Sequence, residues 1–227
     1  MEFWENKENI RGVYGMGIEK KEKNSFISTE DELRLILGYP SERAVKKVIP
    51  SLDHHCREFL SKSPFLVMST SDKFGHCDAS PRGDAPGFVY VLNENQIVIP
   101  ERPGNRRVDS ILNILSNPQV GLIFFIPGLG ESLRINGCAA ITKDEEILEK
   151  MQVNGRSPLL GIVVEIEECF IHCAKAFIRS KLWEPDSWLD KEKLPSAARM
   201  LVDHTKVNTN EEEVARSLEE SYTKRLY

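Results

Sequence analysis

The 227-residue chain is short of several things, and each shortage excludes a class of function. Its five cysteines, Cys56, Cys77, Cys138, Cys169 and Cys173, include no C-x-x-C pair, so no zinc ribbon or thioredoxin-type centre is expected. No apolar run approaches the ~20 residues that cross a bilayer, and the opening MEFWENKENI is too polar for a signal peptide. A soluble, cytoplasmic protein is therefore expected. There is no basic excess: the net charge is −5, which argues against a general nucleic-acid binder. Gly12, Gly15 and Gly17 lack both a preceding strand and the Lys-Ser or Lys-Thr of a phosphate loop. No nucleophile-base-acid triad is evident. The cysteines read as buried thiols. A strand over 169–173 would put Cys169, Ile171 and Cys173 on one side and His172 on the other, and neither cysteine-histidine group has a C-x-x-C pair, so a zinc site joining Cys169, His172 and Cys173 to His54, His55 and Cys56 is set aside, and no metal is expected.

What is present divides into three parts: an N-terminal arm with a helical extension over 1–50, a central domain over 51–185, and a helical tail over 186–227. Thr29-Glu30-Asp31-Glu32 has the form of a capping box, with Leu33, Ile36 and Leu37 on one helical face. Ser41 caps a second helix that Pro50 stops. A third, from Leu52 to Ser61, carries Leu52, Cys56, Phe59 and Leu60 inward and the histidine pair outward. The period then changes. PFLVMSTS reads as a buried strand and CDASPRGDAPG as a segment too rich in Gly, Pro and Asp for a central one, with turn roles for Asp78 and Asp84. FVYVL and IVIP form a hairpin. QVGLIFFIP reads as a strand buried on both faces, ESLRINGCAAIT alternates, a short helix occupies 144–151, and GIVVEIEECFIHCAKAFI supplies one or two strands. Helices near 194–204 and 210–224, the latter capped at Asn208 or Asn210, close the chain. Six or so short strands with one inserted helix suit an antiparallel barrel with helices packed outside.

Between the hairpin and the QVGLIFFIP strand, Arg102, Arg106 and Arg107 cluster at the start of the inserted helix. Asn105 stands as its N-cap, and Val108, Ile111, Leu112 and Leu115 form its apolar stripe. Cations are mildly unfavourable at a helix N-terminus, which carries a partial positive charge. A bound phosphate reverses that sign, because the free N–H groups and the guanidinium forks then converge on one anion. The stretch reads as a phosphate-binding corner. Arg82 and Arg102 could instead serve as ion-pair partners of Asp84 and Glu101, and Trp183 could pack on the barrel.

Taken together, ASPRGDAPGFV, IPERPGNRRVDSILNIL, NPQVGLIFFIPG and HCAKAFIRSKLW resemble the pyridoxamine 5′-phosphate oxidase-like superfamily of split-barrel flavoproteins, over about residues 55–185. The resemblance implies a mainly β, α+β fold: a split β-barrel of antiparallel strands with one inserted helix and further helices at its flanks. It implies FMN as cofactor, with its phosphate on Arg82, Asn105, Arg106 and Arg107 and its ribityl chain and ring along Pro100 and Glu101. It implies a homodimer with the cofactor at the interface, each site completed by Glu131, Ser132 and Arg134 of the other chain, and C-terminal contacts near Arg179 and Trp183. The implied activity is an FMN-dependent oxidoreductase acting on a small organic substrate. A non-catalytic flavin carrier or sensor on the same barrel, or a haem protein with His172 or one of His54 and His55 as axial ligand, are the alternatives. The C-terminal tryptophan and arginine pattern with which pyridoxamine-phosphate oxidase itself handles its substrate is not found, so the resemblance supports cofactor binding better than any vitamin B6 substrate.

Overall fold

The computed structural model describes residues 26–227. The arm over 1–27 lies almost wholly outside the described residues. The chain divides after Val45. Ahead of that point, helix α1 (Glu30–Leu37) is capped as expected: the Thr29 hydroxyl accepts the Glu32 N–H at 3.2 Å, and Glu32 in turn accepts the Ser28 N–H at 2.9 Å. Helix α2 (Glu42–Lys46) is shorter than its sequence suggests, with the Ser41 hydroxyl accepting the Ala44 N–H at its start.

The second unit, from Lys46 onward, is built on one seven-stranded antiparallel sheet. Helix α3 (His54–Lys62) precedes it, started by the Asp53 carboxylate on the Cys56 N–H at 2.8 Å, with Cys56 and Leu60 turned inward. The strands are β1 (Phe65–Ser71), β2 (Cys77–Gly83), β3 (Tyr90–Val91), β4 (Gln96–Pro100), β5 (Gln119–Phe125), β6 (Ser132–Thr142) and β7 (Gly161–His172). Their spatial order is β2-β1-β5-β6-β7-β4-β3. Helix α4 (Asp109–Ser116) is inserted between β4 and β5, and α5 (Glu145–Glu149) lies between β6 and β7. The tail adds α6 (Lys175–Ser180), α7 (Ala197–Thr205) and α8 (Glu211–Lys224), the last capped by Asn210. This is the split-barrel class: the sheet does not close, and β2 and β3 remain edges. Pro81 sits on edge strand β2, where its missing N–H costs no ladder bond.

Leu66, Met68, Leu122, Phe124, Leu133, Ile135, Ile97, Ile99, Ile162 and Val164 fill the interior. QVGLIFFIP, expected to be buried on both faces, is covered on one only, and the same holds for PFLVMSTS. In β1 and β5, buried residues alternate with half-exposed ones such as Val67 and Ile123, as an antiparallel sheet with a single packed face requires. Gly137 marks a bulge in β6, where a side chain would stand 2.0 Å from the Glu165 carbonyl oxygen.

The thiols also divide. Cys56 and Cys169 are buried, Cys77 and Cys173 are exposed, and Cys138 is intermediate. Strand β7 ends at His172, so Cys173 does not share the face of Cys169. The alternation expected across 169–173 stops one residue short.

Candidate functional site

The opening between the two halves of the sheet is bridged by side chains. β2 and β4 are far apart in the strand order, yet Arg82 of β2 is ion-paired with Glu101, the residue after β4, and Arg102 is paired with Asp84, just beyond β2. The two pairs cross the gap together and hold the barrel shut where no backbone ladder does. The Arg102 Nε donates to Asp84 Oδ2 at 2.6 Å, and its guanidinium also reaches the Met151 carbonyl at 2.9 Å. Tyr227 donates its hydroxyl to Asp84 Oδ1 at 2.7 Å. Burial alone would push the Asp84 carboxyl up, but the hydrogen bonds from Tyr227, the Ala85 N–H and Arg102 outweigh it and hold the group below the usual carboxylate range. Asp84 is thus a buried ion-pair partner. Asp78 is likewise no turn residue: it lies in β2 and accepts the Ser110 hydroxyl at 2.7 Å, anchoring α4 to the edge strand.

The phosphate corner differs from the sequence reading in its backbone. Helix α4 begins at Asp109, and Asn105 is not its N-cap; that position falls to Val108, in a left-handed conformation with φ 54° and no side-chain cap bond. The Asn105 side chain instead accepts the Arg107 N–H at 3.0 Å, a local turn that competes with helix formation, and Arg106 is also left-handed. Arg106 and Arg107 therefore stand in an exposed loop just ahead of the helix. Arg107 pairs with Asp109 at 2.8 Å, whereas Arg106 makes no hydrogen bond or ion pair among the described residues. The helix turns inward with Ser110, Ile111 and Ile114, leaving Leu112 and Leu115 of the expected stripe exposed.

Arg82, Leu66, Phe124 and Leu133 are successive cross-strand partners and share the interior face. Ser132, Arg134 and His172 lie on the opposite face by alternation. The Arg82 Nε and the Ser132 hydroxyl are the two buried polar side-chain atoms without a partner among the described residues. Arg134 lies over the Phe170 ring at 5.2 Å, Glu131 is exposed, and Pro100 is buried against Gly161. Burial and the charges of Arg134 and Lys47 hold the His172 pKa below its usual value. Trp183 packs: it stacks on Phe177 at 5.7 Å and donates its indole N–H to the Leu129 carbonyl at 2.9 Å, while Arg179 is exposed. A cleft of about 440 Å³ opens beside Asp84 and Arg102, lined also by Arg57, Ser61, Phe88 and Lys150 but by none of Arg82, Asn105, Arg106 and Arg107. Asp53, His54 and His55 bring three ligand atoms within 4.8 Å of one another on the exposed start of α3.

The open antiparallel sheet with its inserted helix defines a split-barrel protein. Residues 52–173 match the pyridoxamine 5′-phosphate oxidase family, and the chain belongs to it. No curated protein sequence matches the chain. Among solved structures it is similar to HupZ of Group A Streptococcus, at 14% identity and TM-score 0.44 over 53% of this chain and 93% of that one. It is also similar to an FMN-binding protein from Syntrophomonas wolfei, at 12% identity and TM-score 0.39, covering 51% and 86%. A third likeness is to the FAD binding protein from Mycobacterium smegmatis, at 16% identity and TM-score 0.38, covering 55% and 97%.

Proposed function

We propose that the protein is an FMN-dependent oxidoreductase acting on a small organic substrate, and that it works as a homodimer whose flavin sites each draw on both chains. The observation that carries this reading is the start of α4, where no side chain caps the first turn and Asn105, Arg106 and Arg107 stand directly before it. A phosphate dianion there takes up free backbone N–H groups and two guanidinium groups. Arg106 has no competing partner to give up. Arg107 gives up only an exposed, solvent-screened pair with Asp109. The unpaired Arg82 Nε supplies a further donor toward the ligand, with Glu101 holding the guanidinium in place from the end of β4.

Bound at this corner, the flavin ring would supply the hydride or electron exchange, and no triad is needed. The protein's part is to bind, to orient and to keep water from the ring. Ser132 and Arg134 face away from Arg82, so one chain cannot offer both sets to a single ligand, while a two-fold partner can. The orphan Ser132 hydroxyl and the exposed Leu112 and Leu115 support such a partner. Membership of an oxidase family supports the reaction class.

The test is calorimetric titration of FMN into the Arg106→Ala, Arg107→Ala double variant. Each charge-assisted bond lost is worth about 1.5–3 kcal/mol, so affinity should fall at least ~100-fold while the thermal transition stays where it was. Unchanged affinity would remove the phosphate from this corner.

A further inference from the structure

Cys56 and Cys169 are separated by 113 residues in sequence, yet their sulfurs lie 3.2 Å apart inside the barrel. Cys56 is in the first turn of α3 and is 8% exposed, whereas Cys169 is on β7 and fully buried. The Cys169 backbone is fixed on both sides. It pairs with Ile135 of β6, and it exchanges two hydrogen bonds with Ile49, 3.0 and 2.8 Å long. We propose that Cys56 and Cys169 form a reversible disulfide that fastens α3 to β7, with hydrogen peroxide as the oxidant.

The chemistry follows from the placement. The Cys169 thiol donates to the Cys56 sulfur, which holds the Cys56 pKa below the usual thiol value and pushes that of Cys169 up. Cys56 is the more accessible of the two sulfurs, at 8% exposure against 0% for Cys169, so Cys56 is the attacking thiolate and Cys169 the thiol that follows. The Cys56 sulfur attacks one peroxide oxygen, the O–O bond breaks, and the leaving hydroxide takes a proton to become water. Cys169 sulfur then displaces hydroxide from the Cys56 sulfenic acid and loses its own proton, giving a second water. In sum two thiols are oxidised to one disulfide and one peroxide is reduced to two waters. A sulfur-sulfur bond of about 2.05 Å requires the pair to close by roughly 1 Å. With Cys169 clamped, that movement falls on α3. Its next residue, Arg57, lines both the 440 Å³ cleft and a second hollow of about 500 Å³ beside Asn93 and Glu165.

The experiment uses the full chain carrying Cys77→Ser, Cys138→Ser and Cys173→Ser, treated with hydrogen peroxide and then digested without reductant. The intact mass should fall by about 2 Da, a peptide joining Cys56 to Cys169 should appear, and dithiothreitol should reverse both. Because the bond closes a long loop, the oxidised form should melt higher, by about 5–15 °C. Cys169→Ala added to the same background should abolish the joined peptide and leave a Cys56 sulfenic acid that dimedone captures. The proposal is overturned if the folded protein gains oxygen at Cys56 without joining, or if the joined peptide forms only after unfolding in urea.

Discussion

At the scale of single residues, the most consequential feature is the crossed pairing of Arg82 with Glu101 and Arg102 with Asp84. Asp84 has a side chain 2% exposed, so removing Arg102 leaves a buried carboxylate with no counter-charge, held only by the Tyr227 hydroxyl and the Ala85 N–H. Arg102→Ala should cost about 3–5 kcal/mol in urea unfolding, far more than a surface pair would. The same group sets a pH dependence. Its pKa is depressed in the folded protein, so its contribution is fully present above the ordinary carboxylate value of 3.8 and is lost as pH falls through the lower folded value. Unfolding midpoints measured down to strongly acid pH should show this loss in the native sequence and a shallower one in Asp84→Asn. A native curve no steeper than the variant's would remove Asp84 as its source.

At the scale of elements, α4 and the loop before it decide how the corner is used. Val108 is β-branched and held at φ 54°, a conformation costing such a residue on the order of 1–3 kcal/mol. Val108→Gly should therefore raise stability by about 1 kcal/mol after the extra chain entropy of glycine is counted, whereas Val108→Ala should give less. Equal effects in denaturant titrations would show that the strained turn is not the cause. The sequence made the existence of this helix legible through its periodicity and its Asn117-Pro118 stop. Its true start was illegible, because Asn105 is as good a capping residue as it is a turn former, and the choice depends on tertiary packing of Ser110 against Asp78. Strand order and the Cys56–Cys169 contact were hidden because they join residues many positions apart, which no local pattern encodes; the four members of the ion pairs were legible, but not that Arg82 takes Glu101 and Arg102 takes Asp84. The existence of β6, β7, α3 and α8 was readable because alternation, helical periodicity and the Asn210 cap are local signals, but the reading began α3 at Leu52, ahead of its Asp53 cap, and carried the last strands into Lys175–Ser180, which form α6. The doubly buried reading of β5 failed because an apolar run does not say how many faces are covered.

At the scale of the whole molecule, the proposed homodimer requires an apolar face for its partner. Leu112 and Leu115 are 56% and 72% exposed on a helix whose other apolar residues are buried. If that face meets a partner, Leu112→Glu with Leu115→Glu should shift sedimentation from dimer to monomer without unfolding the chain, and FMN affinity should fall with it by mass action. A dimer that persists would move the interface elsewhere. The claim beneath all of this is that a phosphate, not merely a ring, is what the corner binds. Titration of the unmodified protein with FMN and with riboflavin, which differ by that phosphate alone, measures it directly. The account predicts that riboflavin binds at least ~100-fold more weakly, since two lost charged hydrogen bonds are worth roughly 3 kcal/mol or more; equal affinities would contradict it.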